Sequence, residues 1–342
     1  MLQTRFTKSF GVRHPIASAG MAFIATAPLV KAVCAAGGFG VLGSAGMPPE
    51  VLQSAIREIQ KAGNSAFGVN IIPRFATAEH IAVCTAERVP AVVFYWDDPA
   101  QEWVSDLKSA KVRLAYQVGS VAEAKTKTDG GADLLIVQGS EAGGHNRSEA
   151  ALFSLVPAVI DAIGGKLPIL ASGGVADGRG LAAALALGAD GVSIGTRFLA
   201  TPEAFAHDEY KKRVVAAALC DTARHNIFGP DFPDATVRGL RNAIVQEWEK
   251  RDDPAPYKAN PPETQPIVGQ AVVYGNTMPM PRFLGLPPTR EFSGDFDQMS
   301  LLAGESVGLT NDIRPAGDLV TEIAAAAEAI LNQKLARITA LN

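Results

Sequence analysis

The chain has 342 residues, 47% of them hydrophobic, and its 31 Lys and Arg stand against 35 Asp and Glu for a formal charge of −4. That balance argues against a nucleic-acid or anionic-membrane surface, which needs a dense basic patch. No apolar run is long enough for a secretory leader or a bilayer span, and Cys34, Cys84 and Cys220 show neither a paired framework nor metal-ligand spacing, so a cytoplasmic protein without a metal is expected.

Over the first two-thirds, short apolar runs alternate with Ala-rich, helix-favouring stretches. The runs lie at 15–19, 38–43, 66–71, 91–95, 112–118, 134–138, 168–172 and 192–195. They are apolar without strict alternation, as strands are when helices cover one face and a barrel interior the other. Between them, segments such as 27–36, 49–63, 121–130 and 178–187 carry Ala, Leu, Lys and Glu at amphipathic spacing. Eight alternations predict a closed parallel (β/α)8 TIM barrel of the α/β class. An open doubly wound sheet is the alternative, but its usual dinucleotide turn is missing.

After Thr201 the composition shifts toward Pro, Asp, Arg and Asn, and periodicity fades beyond a helix-like stretch at 204–219. The Pro-rich segments 252–265 and 278–288 are expected to lack continuous regular structure. Residues 318–338 read as a long helix with Asp318 as N-cap and Leu319, Ile323, Ala327, Ile330 and Leu331 along one face. That helix has no sheet of its own to cover. Residues 202–300 are therefore read as a subdomain inserted between the eighth strand and the last helix, covering the active site, with 1–201 and 301–342 forming the barrel. An independent small domain over 202–300 is the alternative.

In such a barrel the chemistry sits at the C-terminal ends of the strands. Those ends are small and polar here: Ala19-Gly20-Met21, Gly43 to Gly46, Asn70, Gln117, Gln138, Ser172-Gly173-Gly174 and Gly195-Thr196. Glycines let a ligand approach backbone N–H groups, and Asn and Gln offer paired donors and acceptors to the rim of a heteroaromatic ring. One Gly-rich turn would be ordinary loop geometry. Two of them, after the seventh and eighth strands, point to a phosphate. After the sixth strand comes Glu141-Ala142-Gly143-Gly144-His145-Asn146. From position alone, His145 is as plausible a structural residue as a catalytic one, while His14, His80, His207 and His225 receive no role. With no Cys or Lys near the end of the sixth strand, covalent thiol and Schiff-base chemistries lack their nucleophile, which leaves the difficult chemistry to a cofactor.

Residues 168–181, PILASGGVADGRGL, and 187–201, LGADGVSIGTRFLAT, closely resemble the nitronate monooxygenase family, formerly 2-nitropropane dioxygenases. So do Phe67 to Asn70, Glu141 to His145, His14-Pro15-Ile16 before Gly20-Met21, and Leu302 to Gly308, so the resemblance spans nearly the whole chain. It implies FMN, with its phosphate at Ser172, Gly173, Gly174, Gly195 and Thr196. The flavin ring would lie against Ala19, Gly20 and Met21, with Asn70, Gln117 and Gln138 at its edge. Gly143, Gly144, Gly304 and Ser306 complete the implied cofactor site, and His145 matches the family's catalytic histidine. The implied reaction is oxidation of alkyl nitronates or nitroalkanes by oxygen to carbonyl compounds and nitrite. In it His145 holds the anionic nitronate or takes the α-proton.

The same motifs resemble flavin-dependent enoyl-ACP reductases and NADH:quinone reductases. An FMN-dependent NAD(P)H reductase of quinones or enoyl thioesters is therefore the first alternative, its nucleotide surface expected around Arg282 and Arg290. A flavin-free phosphosugar barrel or binding protein is the second, and a homodimer is compatible with any of them. The chain departs from the family at Asn146-Arg147, where a Gly often follows, at Gln117, where many relatives carry Lys, and at Glu305, where Gln is common. All three positions are expected at the pocket.

Overall fold

The computed structural model describes residues 1–63, 65–229, 235–251 and 264–334. Eight strands form its centre: β1 (Ile16–Ser18), β2 (Gly40–Gly43), β3 (Phe67–Ile71), β4 (Ala91–Phe94), β5 (Arg113–Val118), β6 (Leu134–Gln138), β7 (Ile169–Ser172) and β8 (Gly191–Ile194). Neighbouring strands pair in parallel in the order β1-β8-β7-β6-β5-β4-β3-β2. A parallel bridge between Ala17 and Phe39 joins the two ends, with Ser18 N donating to Phe39 O at 3.0 Å and Phe39 N to Ile16 O at 2.9 Å, and the barrel closes. The strands are buried almost throughout, which explains why their sequences read as unbroken apolar runs. Each predicted run overlaps its strand, and the largest offset is at residues 38 and 39, a bend and the bridge residue that precede β2.

Helices Ala27–Ala35, Pro49–Lys61, Ala78–Ala86, Gln101–Ser109, Val121–Asp129, Leu152–Ile163 and Gly178–Ala186 follow β1 to β7. The helix Ala316–Ala329 packs against both Gly178–Ala186 and Ala27–Ala35, filling the gap in the outer ring after β8. It starts earlier than the sequence pattern suggests. Pro315, with φ fixed near the helical value, holds the cap position, and Asp318 falls in the first turn, where its carboxylate faces the positive end of the helix dipole. Residues 335–338 of the predicted helix lie outside the described residues.

Between β8 and that helix, three further departures appear. The helix expected over 204–219 is only Asp208–Ala216. Its predicted first turn is extended instead, because Phe205 O and His207 N bond to Arg290 N and Pro288 O. Of the Pro-rich stretches, 252–263 lies outside the described residues. The other begins as a regular strand, Asn276–Pro281, which pairs antiparallel with Ile267–Val273. It tolerates Pro279 and Pro281 because it is an edge strand, where a missing donor faces away from the ladder.

The N-terminal helix Arg5–Phe10, which carries no sequence signal strong enough to predict it, plugs the end of the barrel where the strands begin. Its Phe6 and Phe10 rings meet Phe39 edge-on at 5.9 and 5.4 Å. Beside them Arg5 forks onto buried Asp190 at 2.9 and 2.7 Å, and Asp190 also accepts from Ile169 N at 3.0 Å. Among the described residues no helix is long and apolar enough to cross a membrane.

Candidate active site

At the opposite end the strands open into a cavity of about 500 Å³. Every residue that the sequence offered for the cofactor site or for catalysis lines it. Ala19, Gly20 and Met21 come from the end of β1, Asn70 from β3, Gln117 from β5, and Gln138 from β6. Gly143, Gly144 and His145 come from the loop after β6, and Ser172, Gly173 and Gly174 from β7. Gly195 and Thr196 follow β8, and Gly304 and Ser306 precede the last helix.

Why the sequence folds this way can be read residue by residue. Gly173 and Gly174 have φ of 126° and 66°, two successive left-handed conformations that other residues rarely adopt. Gly143 is needed for a different reason. A Cβ there would lie 2.4 Å from Gly304 N and 2.5 Å from the Ala303 carbonyl carbon, both backbone atoms that cannot swing aside. Gly304 N–H in turn donates to Thr196 Oγ1 at 3.0 Å, and Glu305 N–H to Glu141 O at 3.0 Å. These contacts tie together the loop after β6, the end of β8 and the segment before the last helix. Asn70 is locked by its own donation to Val93 O at 3.1 Å.

His145 sits at the centre of several of these contacts. Its carbonyl accepts from Gln138 Nε2 at 3.2 Å and from the Tyr95 hydroxyl. Burial, then the charge of Arg74 and the proximity of His225, push its pKa down to about 3. A pKa that low leaves the imidazole neutral at physiological pH. Gly229, at φ 88°, leaves room for the ring: a Cβ on it would come 2.9 Å from His145 Nε2.

The remaining wall was not legible as a site. Phe23, Phe75 and Tyr95 come from the barrel loops, and Gly229, Met278, Leu284, Gly285, Leu286 and Pro287 from the 202–300 segment. No motif marks them, although a cluster of apolar residues among prolines near 278–288 is the one available hint. Among the described residues, the lining contains no Asp, Glu, Lys or Arg.

Two expectations need correction, those for Glu305 and Asn146. Arg282 and Arg290, expected on the nucleotide surface of the alternative reading, lie outside the cavity lining, where Arg282 pairs with Glu247 and Arg290 donates to the carbonyls of Pro202 and Ala204 at 2.8 and 3.2 Å. Glu305 also stands off the cavity, paired with Arg238 at 3.2 Å. Asn146 is fully buried behind the His145 loop, donating to Gly139 O and Ala142 O at 2.9 and 3.2 Å while its Oδ1 accepts from Ser148 N at 3.0 Å. Only Gln117 of the three departures touches the pocket.

The family profile described as Nitronate monooxygenase matches residues 3–82 and 73–326. A relative from Rhodococcus jostii (strain RHA1), (3aS,4S,5R,7aS)-5-hydroxy-7a-methyl-1-oxo-octahydro-1H-indene-4-carboxyl-CoA dehydrogenase, is 35% identical over 95% of each chain. The probable nitronate monooxygenase of Staphylococcus saprophyticus is 32% identical over 75% of this chain and 83% of its own length. The structure of FabK from Thermotoga maritima matches with a TM-score of 0.81 at 31% identity, covering 98% of this chain and 100% of that one.

Proposed function

The chain belongs to the nitronate monooxygenase family of oxidoreductases, and we propose that it binds FMN and oxidises or reduces a thioester whose acyl group is uncharged, at the carbons next to its carbonyl. The observation that carries this is the composition of the cavity wall: its described lining holds no Asp, Glu, Lys or Arg.

The residues present fit FMN. Consecutive left-handed glycines at 173 and 174 leave backbone N–H groups open to a phosphate without a Cβ in the way, and Ser172, Thr196 and Ser306 bring hydroxyls to the same cavity. Asn70, Gln117 and Gln138 supply amides for the edge of a flavin ring. FMN supplies, when bound, the two-electron chemistry that no lining side chain can perform. The chain's own residues then do the positioning. The apolar wall of Phe23, Phe75, Met278, Leu284 and Leu286 binds a bulky acyl body and excludes water, and neutral His145 holds or moves a proton at a ring nitrogen. We assign residues 202–300 to an insertion that roofs this cavity, on the barrel formed by 1–201 and 301–342.

A nitronate is an anion. Desolvated against the apolar wall, it would meet no counter-charge among the described lining residues, a costly placement. The Rhodococcus relative is named as acting on a bicyclic carboxyl-CoA, an uncharged ring system on a thioester. Oxidation of alkyl nitronates by oxygen is the second reading, supported by the family profile and the Staphylococcus relative. Anaerobic rapid mixing of the yellow protein with NADH, with alkyl nitronates and with cyclic acyl-CoA thioesters separates them. Bleaching by a cyclic acyl-CoA, or reoxidation of the NADH-reduced flavin by its α,β-unsaturated form, is the expected result. Fast bleaching by a nitronate, with nitrite released on admitting oxygen, would overturn it in favour of the second reading.

A further inference from the structure

We propose that Trp96, with its neighbour Tyr95, is the positioning element that fixes the His145 imidazole in the cavity. Four neighbours converge on that residue, two at its carbonyl and two at its ring. The Tyr95 hydroxyl, just past the end of β4, donates to the His145 carbonyl, where Gln138 Nε2 also arrives at 3.2 Å. The indole of Trp96 stands edge-on to the imidazole, with ring centroids 6.0 Å apart and planes at 75°. On another side Gly229 packs against the ring, so that a Cβ on it would lie 2.9 Å from Nε2.

Trp96 does not line the cavity, so it cannot touch a substrate there. It is nonetheless held in an unusual conformation. Its φ of 72° lies in the left-handed region, which a bulky side chain adopts only where the surroundings enforce it. The enforcement comes from Arg147, whose Nη1 donates to the Trp96 carbonyl and whose guanidinium lies 5.2 Å from the indole centroid. Arg147 is itself anchored to Glu123 at 2.6 Å. A chain of contacts thus runs from the helix Val121–Asp129 through Arg147 and Trp96 to the imidazole. Its geometry orients the ring and keeps water from one of its faces.

This rests on the assignment of His145 as the reacting group, and the test is chosen to separate the two. In the full flavin-loaded chain, the His145 ring C–H resonance is followed by NMR through pH, and kcat and KM are measured with a cyclic acyl-CoA thioester. Trp96→Gly removes the indole while accepting the left-handed backbone, and Trp96→Phe retains an aromatic edge. The charged and titratable groups around the ring, Arg74, His225, Tyr95 and Arg147, are unchanged in both. The wild-type resonance is expected to stay flat between about pH 5 and 8. In Trp96→Gly it should titrate within that range and kcat should fall about tenfold at unchanged flavin content, with Trp96→Phe restoring both. A flat resonance and unaltered kcat in Trp96→Gly would overturn the proposal, as would a loss that Trp96→Phe fails to restore. The NMR arm needs no substrate, so failure of the thioester assignment leaves it standing.

Discussion

The two mouths of this barrel are made by the same eight strands and are built on opposite principles. Where the strands begin, side chains interlock: Phe6, Phe10 and Phe39 meet edge to face, and the Arg5 fork closes on Asp190. Where the strands end, side chains give way to backbone. Glycines at 143, 173 and 174 bring loop backbones into contact or expose their amides, and the polar groups left over are amides and hydroxyls without formal charge. Packing and binding surfaces thus lie at opposite ends of the same strands: interlocked side chains fill the lower mouth, where the strands begin, and a hollow lined by backbone and neutral polar groups opens at the upper one, where they end.

Emptying the lower mouth should have the largest effect. Phe39 is buried between the two rings of the N-terminal helix and its backbone carries the bridge that closes β1 on β2. Phe39→Ala should cost about 3–5 kcal/mol of stability, read as a lower midpoint in urea at unchanged slope. Flavin content and turnover below the unfolding transition should stay close to wild type. A loss of flavin affinity as large as the loss of stability would mean that the two mouths are coupled.

Acid should attack the upper mouth first. Burial holds His145 at about 3 and His225 at about 4, against an ordinary value near 6.5. Because both folded-state values lie below the unfolded one, the unfolded chain takes up protons first as the pH drops. Their contribution to stability is complete above about pH 6.5 and is lost progressively as the pH falls toward 4 and then 3. The lower mouth carries only the half-buried His14, lowered by burial and by Arg13. Melting followed by circular dichroism should give a constant Tm from pH 8 to about 6.5 and a falling one below it, with His225→Phe making the decline shallower. A Tm unchanged down to about pH 4.5 would show that these imidazoles find compensation in the folded state.

The same contrast explains how much could be seen in the sequence. The barrel was legible because parallel strands buried on both faces write themselves as apolar runs, and the cavity-lining residues because consecutive left-handed turns demand Gly173 and Gly174 where few other residues serve. The N-terminal plug left no comparable mark, since Arg5–Phe10 is a short helix with only Phe6, Thr7 and Phe10 buried. The apolar roof around Met278, Leu284 and Leu286 was hidden by prolines that suppress periodicity, and Trp96 by a left-handed backbone that no local pattern predicts. Asn146 and Glu305 looked like pocket residues because they neighbour ones that are. Their side chains turn away because a buried carbonyl pair and an arginine offer better partners.

The smallest expected effect is also the most discriminating. Thr196 Oγ1 accepts from Gly304 N–H at 3.0 Å and lines the cavity, so it can serve as a staple between two loops, as a phosphate ligand, or as both. Thr196→Val keeps the shape and removes the acceptor, at a cost of about 1 kcal/mol for the unmet N–H. If the hydroxyl is a staple alone, the flavin-free and flavin-loaded proteins should lose the same amount of Tm, and the flavin Kd should not move. If it also binds the phosphate, the loaded protein should lose more, and the Kd should rise about fivefold, as expected for an additional 1 kcal/mol confined to the complex. The second result is the one expected here, because the hydroxyl's two lone pairs allow it to accept from Gly304 while the proton points to an anion. Equal losses would move the phosphate to the backbone amides of the β7 turn alone and leave the end of β8 with a purely structural task.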